Sequence, residues 1–461
     1  MRLFANRDYR RLFGAQIIAL FGTGLATVAL GLLAYDLAGP SAGAVLGTAL
    51  TIKMVMYVVI APIAAAYVDR LPRRTLLTVL DALRALVVLA LPFVTEIWHI
   101  YLLVGLLQAA SAAFTPTFQA VIPDIVTEEP DYVRALSASQ VASTMESLLS
   151  PVLAAVALAF LSFDRLFLGT SAGFLLSGLL VLSTRIPEAR PSSHTRAWDR
   201  VTAGIGTFLG TPRLRGVMAL NLAVAAAGSI VVVNTVNYVR DELGGSQSAV
   251  AWMLAASGGG TLLAALVLPR LLDRVAARTV MVTGAGFLVG GTAAAVTLAA
   301  AGLTTWTGTA IVWALIGIGM ALVITPTGKV LRASVEPNAI PGVFAAQFSL
   351  SHLAWLITYP IAGWLGTNTG FAAAWSVLAA LAAAGAIGAL LLWPRNDGRE
   401  ASPGTLTTVP AERPSDRSAL SKAARNALSV ADVARARTEP GKGHIPRQPY
   451  PIGPTSRSTY P

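Results

Sequence analysis

The sequence predicts an all-α membrane protein of twelve transmembrane helices in two pseudo-symmetric six-helix bundles. Three observations lead there. The 461 residues are 55% hydrophobic and only 12% charged, with a mean hydropathy of +0.65, whereas an ordinary soluble chain carries about 25% charge. Twelve mostly apolar runs reach the ~20 residues that a helix needs to cross a bilayer. Short motifs in the first half also recur in the second at a nearly constant offset.

The runs lie near 12–34, 43–66, 75–95, 99–123, 136–160, 165–184, 216–239, 248–270, 279–301, 306–328, 341–365 and 371–393. The first follows a basic "MRLFANRDYRRLFGAQ". It is too long for a signal-peptide core and no clear Ala-x-Ala site precedes Asp36, so it reads as an uncleaved first span. Most connections are short. The longest, 185–213, is polar, carries Arg185, Arg190, Arg196, Arg200 and Arg213, and divides the spans six and six. The expected organisation is an N-terminal bundle over 1–184, a cytoplasmic central loop over 185–213, a C-terminal bundle over 214–394 and a tail over 395–461. The tail is rich in Pro, Ser, Thr, Arg and Ala and is expected to be disordered and cytoplasmic. Its stretch 419–437 also has the composition of a basic amphipathic helix for an anionic membrane surface.

A formal charge of +11 suggests nucleic acid in a soluble protein. Here the placement of the charge matters more, and no nucleic-acid partner is expected. One side collects Arg2, Arg7, Arg10, Arg11, Arg70, Arg73, Arg74, Arg134, the central loop, Arg270, Arg274, Arg278, Lys329, Arg332, Arg395 and Arg399. The other has Arg165 and Arg240. Lys and Arg favour the cytoplasmic side, so both termini are expected inside the plasma (inner) membrane. The acidic connection after span four, with Asp124, Glu128, Glu129 and Asp131, is the exception.

With no cysteine, disulfides, thiolate metal sites and Cys nucleophiles are excluded. The sequence has no nucleotide-binding Gly-rich loop ending in Lys-Ser/Thr and no His-Glu-x-x-His. "SGGGT" at 257–261 falls inside span eight, where glycines let helices pack closely. An enzyme, a cofactor and a metal are therefore not expected.

The recurring motifs are "DRLPRR" at 69–74 with "DRVAAR" at 273–278, and "TPT" at 115–117 with "TPT" at 325–327. Ser150-Pro151 likewise matches Tyr359-Pro360, and Gln140 matches Gln347. Each falls in or beside the corresponding span of its half, which indicates a duplicated six-helix unit. Both units begin on the same side, as in a transporter that rocks two parallel repeats around a central site. The Asp-Arg-x-x-Arg-Arg cluster after span two, echoed after span eight, resembles the signature loop of the major facilitator superfamily. The opening "NRDYRRLFGAQIIALFGTGLATVALGLLAYDLAG" is similar to its macrolide-efflux and enterobactin-exporter branch. Ala65 and Pro72 replace glycines usual in the loop, and Gly105 stands where drug antiporters carry arginine. The resemblance implies a multidrug-type antiporter that exports a small amphipathic molecule (drug, macrolide or siderophore-like) in exchange for protons by alternating access, working as a monomer in the lipid bilayer. An importer or a lipid flippase on the same fold is the alternative.

The resemblance also implies that Asp69 and Arg70 help latch the halves, as part of a gating motif with Arg73, Arg74, Asp273, Arg274 and Arg278. Charges inside spans are rare and point to function. Lys53, Glu146 and His352 each lie roughly 15–20 Å from the cytoplasmic ends of their spans at ~1.5 Å per residue. A carboxyl withdrawn from water holds a proton more readily than an exposed one. That makes Glu146 the candidate proton carrier and Lys53 its counter-ion or an anchor for an anionic substrate. Asp81 and Arg84 are three apart on one face of span three and are expected to pair. Gln16, Gln108, Asn221, Asn234, Asn237 and Trp313 are the expected cavity-lining residues. Pro116 and Pro326 are expected to break their helices locally.

Overall fold

The computed structural model describes residues 3–67, 71–126, 128–186, 197–303, 305–336 and 339–394. Among these there are helices and turns but no strand. The helices of the first half are α1 Arg7–Ala38, α2 Ala42–Tyr67, α3 Arg73–Ala90, α4 Ile97–Ile125, α5 Glu129–Leu158 and α6 Phe163–Leu182. After α7, Ala197–Gly210, come α8 Pro212–Glu242, α9 Gln247–Leu272, α10 Ala277–Ala300 and α11 Trp306–Ala333. The last two are α12, Ile340–Pro360 with a continuation to Thr369, and α13 Phe371–Leu392. Nine stretches of the described residues are long and apolar enough to cross a membrane, the first running from α1 into α2. The twelve expected spans correspond to α1–α6 and α8–α13.

Local signals explain several helix boundaries. The Asn6 side chain accepts hydrogen bonds from the Asp8 and Tyr9 amides at 2.9 and 3.2 Å, capping α1. The helix ends at Gly39, whose φ of 52° is strained for residues with a side chain. Within the spans, hydroxyls bond back to the preceding turn, as Thr23 does to Ala19 O (3.0 Å) and Thr117 to Ala113 O (2.8 Å). Their polar groups thereby need no water.

The packing repeats. In the first half α1 packs on α6, α2 on α4, and α3 on both α4 and α6. In the second half α8 packs on α13, α9 on α11, and α10 on both α11 and α13. The halves meet along α2–α12 and α5–α9, which are themselves related by the duplication. We call the end holding Arg11, Arg73 and Arg74 the basic face, and the end holding the α1–α2 turn at Gly39 the far face.

Three features differ from the sequence reading. The central connection is not loop throughout: α7 lies in it, burying Phe208 and packing on α12, α2 and α8. Its residues 187–196 lie outside the described residues, as does the tail from 395 on. Helices α4 and α11 run unbroken through Pro116 and Pro326, because a helix can absorb one missing donor without breaking. The irregularities occur elsewhere, as π turns at Ile230–Asn234 and Tyr238–Glu242 in α8 and at Ile361–Leu365 in α12. The α12 turn follows directly after Pro360. It is held to α8 by Asn234 Nδ2 donating to Ala362 O at 2.9 Å.

Candidate functional site

On the basic face, Asp69 and Arg70 lie outside the described residues, but their neighbours have clear partners. Buried Arg73 donates to the Asp124 carboxylate and to Ala120 O (2.7 Å), fastening α3 to the end of α4. Asp124 belongs to the acidic connection that interrupts the basic pattern, and this ion pair gives it a purpose. Arg74 donates to Leu182 O, the last residue of α6. Arg278 Nε donates to Trp393 O (3.2 Å), just past α13. Arg74 and Arg278 thus each bond a carbonyl at the C-terminal end of the sixth span of their half, where a cation is favoured. Asp273 and Arg274 are exposed.

Asp81 and Arg84 form a buried ion pair in α3. Ser177 of α6 donates to Asp81 Oδ2 at 2.8 Å. The Arg84 guanidinium lies 4.1 Å from the Phe114 ring centre and 4.6 Å from that of Phe174. The pair therefore ties α3 to α4 and α6, where charge and aromatic faces stabilise each other.

The three other intramembrane charges come together where the halves meet. Lys53 on α2 and Glu146 on α5 act on each other electrostatically, and Lys53 also acts on His352 of α12. Glu146 acts on Tyr57 and Tyr359 as well. All three charged or titratable side chains sit deep in the protein yet keep part of their surface accessible. Ser150 Oγ lies 3.5 Å from Glu146 Oε1 and donates to it. A Cβ at Gly24 of α1 would lie 2.7 Å from Glu146 Oε1 and would clash with Ser150. The bare backbone there leaves room for the carboxylate. The His352 ring stacks on Tyr57, with centroids 5.0 Å apart and planes 6° from parallel, and Phe348 leans against it at 4.1 Å.

Sequence reasoning missed Tyr57, Tyr359, Ser150 and Gly24 as members of this cluster. Two of them carried a signal, since Ser150 and Tyr359 are the repeat-matched residues before Pro151 and Pro360. Ser150 donates to Glu146, and Tyr359 is within reach of its charge.

The expected cavity-lining residues are all buried in this conformation. Trp313 is fully enclosed and donates to Thr235 Oγ1 at 2.7 Å, so it belongs to the packing of the second half. Asn234 joins the π turns and accepts from Trp375 at 3.1 Å. Gln16 donates to Ser139 of α5. Gln108 borders a small void beside Thr23, Thr27 and Leu50. The Asn221 amide nitrogen is buried without a hydrogen-bond partner.

Asn237 instead helps to close the far face. Its amide donates to Gly39 O (3.3 Å), Pro40 O (3.2 Å) and Asp241 Oδ2 (3.0 Å), while Tyr35 donates to Asp241 Oδ1. Nearby, Trp364 donates to Thr48 Oγ1 at 2.8 Å. A Cβ on Gly47 would lie 2.9 Å from both Gly363 Cα and Tyr359 O. The halves are therefore in backbone contact at this end. Among the described residues no cluster of His, Asp and Glu is arranged to hold a metal ion.

Comparison with known proteins agrees with this architecture. A family model described as the Major Facilitator Superfamily matches residues 12–236 and again 217–431. An "Uncharacterized MFS-type transporter YfiS" of Bacillus subtilis (strain 168) is 23% identical over 330 residues, covering 68% of this chain and 77% of that protein. The solved nucleoside transporter NupG superposes with a TM-score of 0.60 at 13% identity, over 85% of this chain and 99% of its own. An auto-inhibited POT family peptide transporter gives 0.62 at 13%, over 84% and 96%. An inward-facing bacterial homologue of the human lysosomal transporter Spinster gives 0.56 at 14%, over 84% and 95%. At such identities these structures speak for the fold alone.

Proposed function

The chain belongs to the Major Facilitator Superfamily, and from that premise we propose that it exports a small amphipathic molecule in exchange for protons. A multi-pass transporter is the starting point; cargo, coupling and direction are our reading. The observation that carries it is the Lys53–Glu146 pair: opposite charges on α2 and α5, deep in the protein, on the two helices of the first half that pack on α12 and α9 of the other.

The charge arithmetic supports exchange. A single carboxylate is either protonated or charged. If cargo binds only the charged form, proton and cargo take turns on the protein. Lys53 stabilises the charged form and is left without its partner when Glu146 takes a proton, which couples protonation to a change of conformation. Movement of a bundle over 1–184 against one over 214–394 would open the α2–α12 and α5–α9 seams to alternate sides. The positive-inside bias makes the basic face cytoplasmic in the plasma (inner) membrane, with both termini and the 185–213 connection inside. The tied far face is then the extracytoplasmic gate in its closed state. In this scheme Asp69, Arg70, Asp273 and Arg274 latch the opposite gate, and one chain suffices. The likeness of the first span to exporters supports the outward direction. The absence of a nucleotide-binding motif in the sequence supports a gradient as the driving force.

Inverted vesicles offered a panel of amphipathic compounds from outside, with and without a proton gradient, test this reading. Accumulation of at least one compound should need the gradient in wild type and lose that dependence in Glu146→Gln. Accumulation indifferent to the gradient in both proteins contradicts it.

A further inference from the structure

Two of the aromatic clusters among the described residues differ in their surroundings. Tyr238, Trp313, Phe371 and Trp375 pack together within the second half. Three of these rings are essentially inaccessible, and Trp313 and Trp375 spend their N–H groups on Thr235 and Asn234. That cluster is packing. Tyr57, Phe348 and His352 form the other cluster, and each keeps accessible surface. Its rings come from α2 and α12, the helices along which the halves meet. Tyr57 also stands four residues after Lys53 on the same face of α2, so the charges are at its side.

The Tyr57–His352 pair is stacked nearly parallel at 6°, and Phe348 leans on both at 39°. Two flat faces from opposite halves therefore look at each other, with a third ring closing one edge. Separating the planes by roughly 3.5 Å, the contact distance of two carbon layers, makes a slot for one further ring. A relative motion of α2 and α12 supplies that separation. We propose that Tyr57 and His352 form this slot and that the cargo is a small molecule with a planar aromatic or heteroaromatic ring. The inference rests on the reading that cargo binds between the halves, and it adds the chemical class. A saturated molecule of equal size would fill the same space. It would lack the complementary quadrupoles that favour ring on ring over ring on aliphatic surface.

The test uses the full chain in lipid nanodiscs and two probes with one bicyclic skeleton and one hydroxyl, planar 2-naphthol and saturated decahydro-2-naphthol. Titration calorimetry against empty nanodiscs corrects for partition into lipid. Wild type should bind 2-naphthol about tenfold more tightly, the product of two stacking contacts. Tyr57→Leu and His352→Leu should each bring that preference down to about threefold, and Tyr57→Phe should retain it. Equal binding of both probes to wild type overturns the proposal without any variant being needed. So does a preference that survives both leucine substitutions in variants with normal helical circular dichroism, or no binding of either probe. If the slot fails while some compound is still driven through Glu146 by a proton gradient, the transport reading stands without it. If the ring preference and its loss hold but no compound follows the gradient, the slot stands and the coupling reading fails.

Discussion

Removal of the Asp81 carboxylate would leave Arg84 charged, 3% exposed and held against Phe114 and Phe174. Breaking a buried pair from one side costs about 3–5 kcal/mol, whereas removing both charges is often nearly neutral. Asp81→Ala should therefore lower the melting temperature in detergent substantially, and Asp81→Ala with Arg84→Met should recover most of the loss. A double variant as unstable as the single one would refute the pair as described. At this scale the sequence was informative where charge was rare. Asp81 and Arg84, three apart in an apolar span, predicted their own pairing, and Lys53, Glu146 and His352 stood out for the same reason. What they would face was not legible. Tyr57 and Gly24 are ordinary residues of membrane helices, and only folding brings them to Glu146. Trp313 and Asn234 are spent on their neighbours in this conformation, because a polar or aromatic group in a span serves equally well to satisfy those around it, as Asn234 does at the π turns.

Helices α2 and α12 approach so closely at Gly47 and Gly363 that any side chain must move one of them. Gly47→Val should part the far face. The chain has no cysteine, so a single Val236→Cys reports the opening: Val236 is 4% exposed and lies against Gly31 of α1. Maleimide should label this cysteine several-fold faster when Gly47→Val is added. Tyr35→Phe, which removes one hydrogen bond of about 0.5–1.5 kcal/mol, should have a smaller effect in the same direction. Unchanged labelling in both would mean that this contact does not hold the far face closed. Helix existence was legible from the apolar runs, but helix irregularity was not. Pro116 and Pro326 looked like breaks and proved to be accommodated. The π turns arise where α8, α12 and α13 exchange side-chain hydrogen bonds, a tertiary cause that no local pattern carries. Helix α7 was hidden because its apolar residues, Phe208 among them, are too few to form a span.

Across the whole molecule, duplication was the strongest signal in the sequence, and the packing repeats it helix by helix. Arg74 and Arg278 show how far the correspondence extends, each fastening the sixth span of its half by a carbonyl at that span's C-terminal end. Such a pairing of halves gives two symmetric seams and one shared interior, and Lys53, Glu146 and His352 lie beside them. Cargo and direction had no comparable signal, because an interior built from scattered single residues leaves no repeating pattern. In our proposal Glu146 carries the proton that drives transport. Luminal pH can be followed in proteoliposomes with a trapped indicator while a transported compound is added outside. Wild type should show compound-dependent proton movement, and Glu146→Gln should show compound exchange without it. Equal, compound-dependent proton movement in Glu146→Gln would contradict it.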